Sequence, residues 1–247
     1  MSKAVFPNLL SEISNSHRIK ILSLLDENDI TLTKITERLG DISRPEVSRH
    51  LTRLTRHGFI RKEIPVGRKY EITPFGKIAI DVVKPLKFLF KHYAYFKKHR
   101  VNDLPNFLTR QLDALENSES IQNIGKLMNK VNNYFQIPSE EMWFMSEVLF
   151  PFERLPYRKV YAICTKKAYY ILKDYRKIHI DVEFQVRILK SLPIALMFND
   201  VKGFIAFPRL DEIKTDYSVV FQVNDEKGIK FLRKVWDYFN KMGMDIF

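Results

Sequence analysis

Cysteine is almost absent from this chain, since its 247 residues include a single one, Cys164. One thiol cannot form an internal disulfide, so nothing in the covalent chemistry calls for an oxidising compartment, and we expect a cytoplasmic protein. The chain also lacks the run of about 18 apolar residues that a membrane-spanning helix needs, so no membrane partner is expected. The longest apolar segment, residues 78–96, is interrupted by Asp81, Lys84, Pro85, Lys87 and Lys91.

Signatures of the common catalytic sites are missing as well. The sequence contains no G-x-S-x-G, G-x-x-x-x-G-K-[ST], H-E-x-x-H or C-x-x-C motif. Metal ligands are sparse, because His92 and His99 are two helical turns apart and Cys164 is distant from both in sequence. We therefore expect no enzymatic activity, no cofactor and no metal site.

What the chain does have is an excess of positive charge at one end. It holds 41 lysines and arginines against 29 acidic residues, a net charge of +12. Residues 1–100 contain 20 basic and 10 acidic residues, whereas residues 101–247 contain 21 and 19. Residues 43–77 alone contain nine basic and three acidic residues. This asymmetry is typical of a module that binds a polyanion, although a solvated basic face explains a charge excess alone about equally well.

Three helices are predicted in this basic region. Ser16 can cap a helix over residues 17–25, and residues 31–39 place apolar side chains at i, i+3 and i+7 before Gly40. The sequence S-R-P-E at residues 43–46 has the spacing of a capping box and starts a third helix. A short helix, a tight turn and a further helix form a helix-turn-helix.

The third helix has two unlike faces. Val47, Leu51 and Leu54 recur at helical spacing and form a stripe for burial. The opposite face is cationic and includes the residues near the N-terminal end of the helix. Its members are Arg44, Ser48, Arg49, Arg53 and Arg56. Such a helix is suited to the DNA major groove.

A β-hairpin is predicted directly after the third helix. Beyond Gly58 the apolar pattern changes to period two, and it resumes at Tyr70 and Ile72 after a turn at residues 65–68. A cationic hairpin in this position is the wing of a winged helix, which reaches phosphates or the minor groove.

These patterns assign DNA contacts to nine residues. We expect contacts to base edges or phosphates in the major groove from Arg44, Ser48, Arg49 and Arg53. We expect contacts to phosphates or the minor groove from Arg56, Arg61, Lys62, Arg68 and Lys69.

Two stretches give this region a family resemblance. Residues 41–60 read D-I-S-R-P-E-V-S-R-H-L-T-R-L-T-R-H-G-F-I, and residues 67–76 read G-R-K-Y-E-I-T-P-F-G. They are similar to the V-S-x-H-L-x-x-L-x-x-x-G and Y-x-L-T-P-x-G patterns of winged-helix regulators of the arsenical-resistance-regulator type. The resemblance covers about residues 15–80. It implies a winged helix that binds double-stranded DNA, with a winged helix used for protein contacts as the alternative.

Residues 77–100 predict a linker helix that is kinked or restarted at Pro85. Its broad apolar stripe consists of Ile78, Val82, Leu86, Leu89, Phe90, Tyr93 and Phe96. We expect this helix to form a homodimer, because DNA half-sites usually impose two-fold symmetry. Packing within one subunit is consistent with the same pattern.

The second half of the chain predicts an α/β domain with a central sheet. Helices are expected over residues 105–116, 121–135, 140–149, 168–175 and 228–241. Strands are expected over residues 160–164, 178–189, 194–198, 204–207 and 218–223. The whole chain is therefore expected to be α+β. Its predicted parts are an N-terminal winged helix-turn-helix domain over residues 1–76, the linker helix, and a C-terminal α/β domain over residues 101–247.

Several fragments of this half carry a second resemblance. They are H-R-V-N-D-L-P-N-F-L at 99–108, L-E-N-S-E at 115–119, L-P-I-A-L-M-F-N-D at 192–200, G-F-I-A-F-P at 203–208, and the terminal helix around Trp236. They resemble the C-terminal domain of archaeal regulators named after methanogenesis or filamentation control. The resemblance implies a sensor-like domain for a small-molecule effector, with a phospholipase-D-like fold. The H-x-K-x-x-x-x-D run of phospholipase-D chemistry is missing, so the fold is expected without its catalytic motif.

Aromatic side chains are a natural lining for such an effector pocket. The candidates are Trp143, Phe144, Tyr157, Tyr161, Tyr169 and Tyr170, with Arg158 or Arg187 for an anionic group. Core or surface packing accounts for each of them more readily, so the ligand-binding residues stay unassigned.

Together these features predict a homodimeric, sequence-specific transcription regulator whose DNA binding is modulated by an effector of the C-terminal domain. Two alternatives stay open at the level of sequence. One is a nucleic-acid-processing enzyme that uses the winged helix as a clamp. The other is a non-specific, architectural DNA-binding protein.

Overall fold

The computed structural model describes residues 5–62, 69–134, 137, 139–148, 155–212 and 214–245. The chain divides into two compact units, Met1–Leu86 and Lys87–Phe247, and the division falls within one helix. The buried apolar residues form one core cluster in the N-terminal unit and two in the C-terminal unit.

The described part of the N-terminal unit combines helices with a small antiparallel sheet. The helices are α1 (Val5–Ile13), α2 (Ser16–Glu27), α3 (Leu32–Leu39), α4 (Arg44–Arg56) and α5 (Pro74–Lys91). The strands, in sheet order, are β1 (Ile30–Thr31), β3 (Lys69–Ile72) and β2 (Ile60–Lys62). The predicted helix-turn-helix and the two strands of the hairpin are confirmed, whereas α1 and β1 were not predicted.

Local capping explains where these helices begin and end. The side chain of Asn15, rather than the predicted Ser16, accepts a hydrogen bond from the backbone N–H of Arg18 at 3.1 Å and starts α2. Thr31 caps α3, and Gly40 ends it with φ of 68°, a left-handed conformation that glycine adopts without steric cost. These ends set the length of the turn before α4.

The core of the N-terminal unit lies between α2, α3 and α4. Val47, Leu51 and Leu54, the predicted stripe of α4, are 0%, 1% and 0% exposed. They pack in the same cluster as Ile21 and Ile35, which are also buried. Burying an aliphatic side chain of this size stabilises the fold by about 1.5–3 kcal/mol each, so the stripe fixes which face of α4 points outward.

The T-P-F-G sequence after the hairpin has a structural role at the start of α5. The Thr73 hydroxyl accepts a hydrogen bond from the backbone N–H of Gly76 at 3.0 Å, and its oxygen lies 2.6 Å from the Gly58 carbonyl oxygen, to which it donates. A Cβ on Gly76 would lie 1.9 Å from the carbonyl oxygen of Phe59. Glycine is therefore required for the close approach of α5 to the chain leaving α4.

The C-terminal unit is built on one eight-stranded mixed sheet in the described residues. In sheet order its strands are β11 (Met244–Asp245), β7 (Glu183–Leu189), β6 (Lys159–Thr165), β5 (Glu141–Met145), β8 (Ala195–Phe198), β9 (Gly203–Ala206), β10 (Val220–Val223) and β4 (Glu119–Ile121). Strands β5, β6 and β7 are parallel, and the other pairs are antiparallel.

Helices cover both faces of this sheet. They are α6 (Tyr93–Phe96), α7 (Asn106–Thr109), α8 (Ile124–Tyr134), α9 (Lys166–Ile178) and α10 (Glu226–Met242), with a 3₁₀ turn at Leu112–Leu115. One core cluster joins the sheet to α10 and the 3₁₀ turn, and the other joins it to α8 and α9. The fold is thus α+β, with an N-terminal helix-turn-helix and a C-terminal sheet domain, as predicted. The phospholipase-D-like relation stays a prediction.

Three secondary-structure predictions for this half are wrong. The helix expected over residues 140–149 is strand β5, whose side chains are apolar on both faces because both are buried, so the sequence shows no alternation. The helix expected over residues 105–116 is split between α7 and the 3₁₀ turn. The strand expected from residue 178 begins at Glu183, because α9 continues to Ile178.

Pro85 lies inside α5, which continues past it to Lys91. A proline in a helix interior removes one backbone hydrogen bond. In the N-terminal unit, the carboxylate of Asp26 accepts hydrogen bonds from Lys77 and Lys84, which ties α2 to α5.

None of the described helices is long and apolar enough to cross a membrane.

Replacing Gly76 tests the close approach at the start of α5. We expect Gly76→Ala to lower the free energy of unfolding by about 2 kcal/mol or more, because backbone atoms must shift to admit the Cβ. Thermal unfolding followed by circular dichroism measures the effect. Gly125→Ala is the matched control, since its Cβ would meet the Asn123 side chain at 3.2 Å and alanine favours the helix. Equal losses of stability in both variants would contradict this account.

Candidate nucleic-acid interface

The exposed face of α4 carries the residues that the sequence assigns to the major groove. Arg44, Ser48, Arg49, Arg53 and Arg56 are all exposed, and they lie away from the buried stripe of the same helix. Exposure follows directly from the burial of Val47, Leu51 and Leu54, because a helix that buries one stripe must present the other to solvent. The face is available to a ligand that lies against the helix.

The N-terminal end of α4 is held by a side-chain cap. The backbone N–H and the hydroxyl of Ser43 both donate hydrogen bonds to Oε2 of Glu46, at 3.0 and 2.8 Å. These bonds lower the pKa of the Glu46 carboxyl. In the preceding turn, Asp41 accepts a hydrogen bond from Lys20 of α2 at 2.9 Å. The end of the helix that would approach base edges is therefore anchored on both sides of the turn.

The arginines of α4 differ in their partners. Arg53 donates two hydrogen bonds to the Glu12 carboxylate, Nε to Oε2 at 3.0 Å and Nη2 to Oε1 at 2.5 Å. Among the described residues, no ion pair involves Arg44, Arg49 or Arg56. A guanidinium without a protein partner can pair with a phosphate or with guanine. Arg49 and Arg56 are thus freer than Arg53 to contact a nucleic acid.

Glu12 is the centre of a small ionic cluster that sequence reasoning missed. This carboxylate, 3% exposed, lies on α1 and also forms an ion pair with the buried Arg18, whose Nε is 3.3 Å from Oε2. The hydrogen bond from Arg53 is the main cause of a lowered pKa at Glu12. The sequence contains no signal for this contact, because 41 residues separate Glu12 from Arg53.

The hairpin places further basic side chains next to α4. Arg61 and Lys62 are exposed on β2, and Lys69 is exposed on β3. Arg61 donates a hydrogen bond to Glu71 on the paired strand, so part of its charge is neutralised. The tip of the hairpin, with Arg68, lies outside the described residues. Lys62 and Lys69, in contrast, form no ion pair with an acidic side chain in the part of the chain that the structure describes.

One further polar side chain lies on the exposed face of α4. Thr52 is exposed, and its hydroxyl donates a hydrogen bond to the Ser48 carbonyl oxygen at 2.9 Å. It lies between the arginines on the same outward face. Helical spacing alone would have included it, since position 52 follows Ser48 by four residues and Arg49 by three.

The candidate effector residues of the C-terminal unit do not form one site. Trp143, Tyr161 and Arg187 line a polar cleft together with Arg233, whose guanidinium lies over the Trp143 ring at 3.2 Å. Phe144 lines a separate apolar cavity on the other face of the sheet. Tyr157 is buried. The described ranges contain no group of three or more His, Cys, Asp or Glu placed to hold a metal ion.

The remaining candidates lie on the surface of this unit. Arg158 is exposed and forms an ion pair with Glu140 at 3.7 Å. Both tyrosines are on α9, where Tyr169 is partly buried against the core and Tyr170 is 58% exposed. Neither tyrosine lines the cleft or the cavity.

Comparison with known proteins agrees with the helix-turn-helix. Residues 13–63 match a family model described as a helix-turn-helix domain, and no curated protein matches the chain. The matched residues include α2, α3, α4 and strand β2 of the hairpin. The chain therefore carries a helix-turn-helix domain. The prediction of a DNA-binding regulator depends on a domain of this type.

Solved structures offer weaker likenesses. TrmBL2, an archaeal chromatin protein with a novel mode of DNA binding, shares 13% identity over 94% of each chain, with a TM-score of 0.41. Reduced HlyU from Vibrio cholerae shares 26% identity over 34% of this chain and 88% of its own, with a TM-score of 0.30. The transcriptional repressor BigR from Xylella fastidiosa shares 19% identity over 33% of this chain and 81% of its own, with a TM-score of 0.30. The predicted family of the C-terminal half stays a prediction.

Removing the Glu12 charge tests the ionic cluster. We expect Glu12→Gln to lower the free energy of unfolding by about 2 kcal/mol at neutral pH, the range of a hydrogen bond between charged groups. Because the folded-state pKa of Glu12 is lowered from 4.5, this stabilisation is complete above that value and is lost as the pH falls through the folded-state pKa. Urea unfolding between about pH 7 and pH 3 measures the difference.

The control is Glu27→Gln, the same substitution at an exposed position of α2. It should have little effect at any pH in this range. A difference between Glu12→Gln and the unmodified chain that persists undiminished at the acidic end would show that the charge of Glu12 is not the source of the stabilisation.

Proposed function

We propose that the chain is a sequence-specific, DNA-binding transcription regulator that acts in the cytoplasm as a homodimer. Its C-terminal unit would modulate DNA binding in response to a small-molecule effector. The observation that carries the proposal is the outward face of α4 in a helix-turn-helix domain, where Arg44, Arg49 and Arg56 are exposed and form no ion pair with any described residue.

The chemistry of this face suits the major groove. Arginine can donate two hydrogen bonds to O6 and N7 of guanine, and a helix of about this diameter fits the groove. Arg49 lies in the N-terminal half of α4, and the N-terminal residues of a recognition helix are the ones that meet base edges. In contrast, Arg53 is held by Glu12 and is better suited to a phosphate than to a base.

The wing supplies the second group of contacts. Lys62 and Lys69 are exposed on neighbouring strands of the hairpin. A lysine ammonium is a point charge that recognises a phosphate without reading the base sequence. The proposal therefore assigns base reading to Arg49 of α4 and backbone binding to the lysines of the wing.

The dimer is proposed on the exposed side of α5. Ile78 and Val82 are 66% and 64% exposed, and Leu86 follows at the same spacing of four residues with 38%. Soluble monomers rarely keep a contiguous apolar stripe in water. A second copy of the helix would cover it and would also provide the two-fold symmetry of paired DNA half-sites. The other stripe residues include Leu89 and Phe96, which pack against the core of the C-terminal unit.

We further propose that the protein does not catalyse a reaction. The arginines and lysines of the interface can bind and orient a nucleic acid, and the sequence contains none of the catalytic motifs named above. A binding experiment separates the proposal from the non-specific architectural protein, and a cleavage assay separates it from the nucleic-acid-processing enzyme.

Two alanine substitutions test the division of roles. We expect Arg49→Ala to weaken binding to the preferred site by about 1–3 kcal/mol and to relax the base preference at one position. We expect Lys69→Ala to weaken binding to all sequences alike and to reduce the slope of log affinity against log salt by about one. Fluorescence anisotropy with a selected site and a random duplex, at several salt concentrations, measures both effects.

Lys167→Ala, at an exposed position of α9, is the control and should leave binding unchanged. Equal losses on every sequence for Arg49→Ala and Lys69→Ala would favour the non-specific architectural protein. Cleavage of the duplex or of single strands in the presence of divalent cations would favour the enzyme.

A charge on the apolar stripe tests the dimer. We expect Ile78→Glu to convert the dimer to a monomer, because the carboxylate would be desolvated against the partner helix. Light scattering coupled to size-exclusion chromatography measures the mass. Ile180→Glu is the matched control, since Ile180 is 82% exposed but lies outside the stripe. A monomeric unmodified chain, or an unchanged mass for Ile78→Glu, would rule out this interface.

A further inference from the structure

The C-terminal unit contains an apolar cavity. It lies between the sheet and the helices α8 and α9, and the space in it that water-sized molecules can occupy is about 70 Å³. Leu127 and Val131 of α8 and Leu172 of α9 form one wall, and Phe144 and Met197 of the sheet form the opposite one. A cavity needs about 10–15 Å³ of such space to hold one water molecule, so this one has room for more than a single water.

Small side chains on the sheet create part of this space. Ala195 of β8 and Ala206 of β9 are paired directly across the two strands, and both line the cavity. Met142 and Met197 also line it, whereas Met145, on the other face of β5, belongs to the opposite core cluster. Protein interiors are normally packed as densely as organic crystals, so an unfilled space of this kind between two layers is unusual.

The polar groups of the cavity are confined to one position. Among the described lining residues, only Ser146 and Tyr217 carry polar side chains, and their hydroxyl oxygens are 2.9 Å apart. The Ser146 hydroxyl also donates to the carbonyl oxygen of Val148 at 2.7 Å. Val148 is 45% exposed and Tyr217 is partly exposed, so this polar position lies at the solvent side of an otherwise apolar cavity.

The charge of a suitable ligand follows from the lining. None of the described lining residues is a lysine, arginine, histidine, aspartate or glutamate. A charged group taken into this cavity would lose its hydration without gaining a counter-charge. An uncharged polar atom, in contrast, could bind at the Ser146–Tyr217 pair while the hydrocarbon part fills the space between the layers.

We propose that this cavity is a binding site for a neutral, hydrocarbon-rich small molecule with one uncharged polar end, such as a medium-chain alcohol. The binding itself does not depend on DNA recognition. Its role as the effector site of the regulator rests on the proposed function. The polar cleft at Trp143, on the other face of the sheet, is a separate place and is not part of this site.

The test uses the full-length chain with 1-decanol as the probe and decanoate as the charged counterpart of the same length. With methyl-¹³C methionine, we expect decanol to shift the resonances of Met142 and Met197 in a saturable manner. Met145, on the opposite face of the same strand, and the exposed Met242 should not move. At neutral pH, decanoate should bind at least about tenfold more weakly than decanol.

Filling the cavity provides the second arm. We expect Ala206→Leu and, separately, Ala195→Leu to weaken decanol binding at least about tenfold, since the added side chain occupies the ligand's space. Ala206→Val adds less volume and should have an intermediate effect. If a filled variant does not fold, the methionine resonances and the decanol–decanoate comparison of the unmodified chain still decide the question.

Three results would overturn the proposal. They are no shift of Met142 and Met197, equal shifts at Met145 or Met242, and decanoate binding as tight as decanol binding. DNA affinity measured without any probe is a separate readout. If the unmodified chain did not bind DNA, the proposed regulatory function would be wrong and the proposed cavity site would not be affected. If it did not bind decanol, the proposed cavity site would be wrong and the proposed DNA recognition would not be affected.

Discussion

The burial of one stripe of α4 orients the whole candidate interface. Val47, Leu51 and Leu54 are almost completely buried, and together their burial is worth several kcal/mol. Rotating the helix to hide its arginines would expose these three side chains, so the apolar core keeps the cationic face in water. The capped N-terminal end and the glycine at the end of α3 then hold the helix at a defined position along its axis. The hydrophobic effect therefore determines the direction in which the cationic face of α4 points.

A second constraint acts on individual side chains of that surface. The buried carboxylate of Glu12 pairs with Arg18 and with Arg53, so one arginine of the recognition helix is also a structural residue. Removing either partner of such a cluster leaves a charge poorly compensated, which costs more than the net gain of the pair itself. The arginines of α4 are therefore not equivalent, although helical spacing treats them alike.

The C-terminal unit is organised differently from the N-terminal unit, because helices cover both faces of its sheet. Neighbouring residues of β5 enter different cores, with Met142 and Phe144 on one side and Trp143 and Met145 on the other. The two layers are not filled alike. The layer beneath α10 is packed with aromatic side chains, whereas the layer beneath α8 and α9 has paired alanines and an apolar cavity.

The sequence by itself determined the N-terminal half well, because its signals are local. Capping residues, a stripe at helical spacing and a period-two run each act within a few residues, so the helices, the strands of the hairpin and the outward arginines could be predicted. Tertiary structure alone decided that residues 141–145 form a strand, that Glu12 meets Arg53, and that Ala195 and Ala206 face one cavity. These features depend on contacts between distant parts of the chain and on burial from two sides. A pattern of neighbouring residues cannot encode them, since a run that is apolar on both faces has no period.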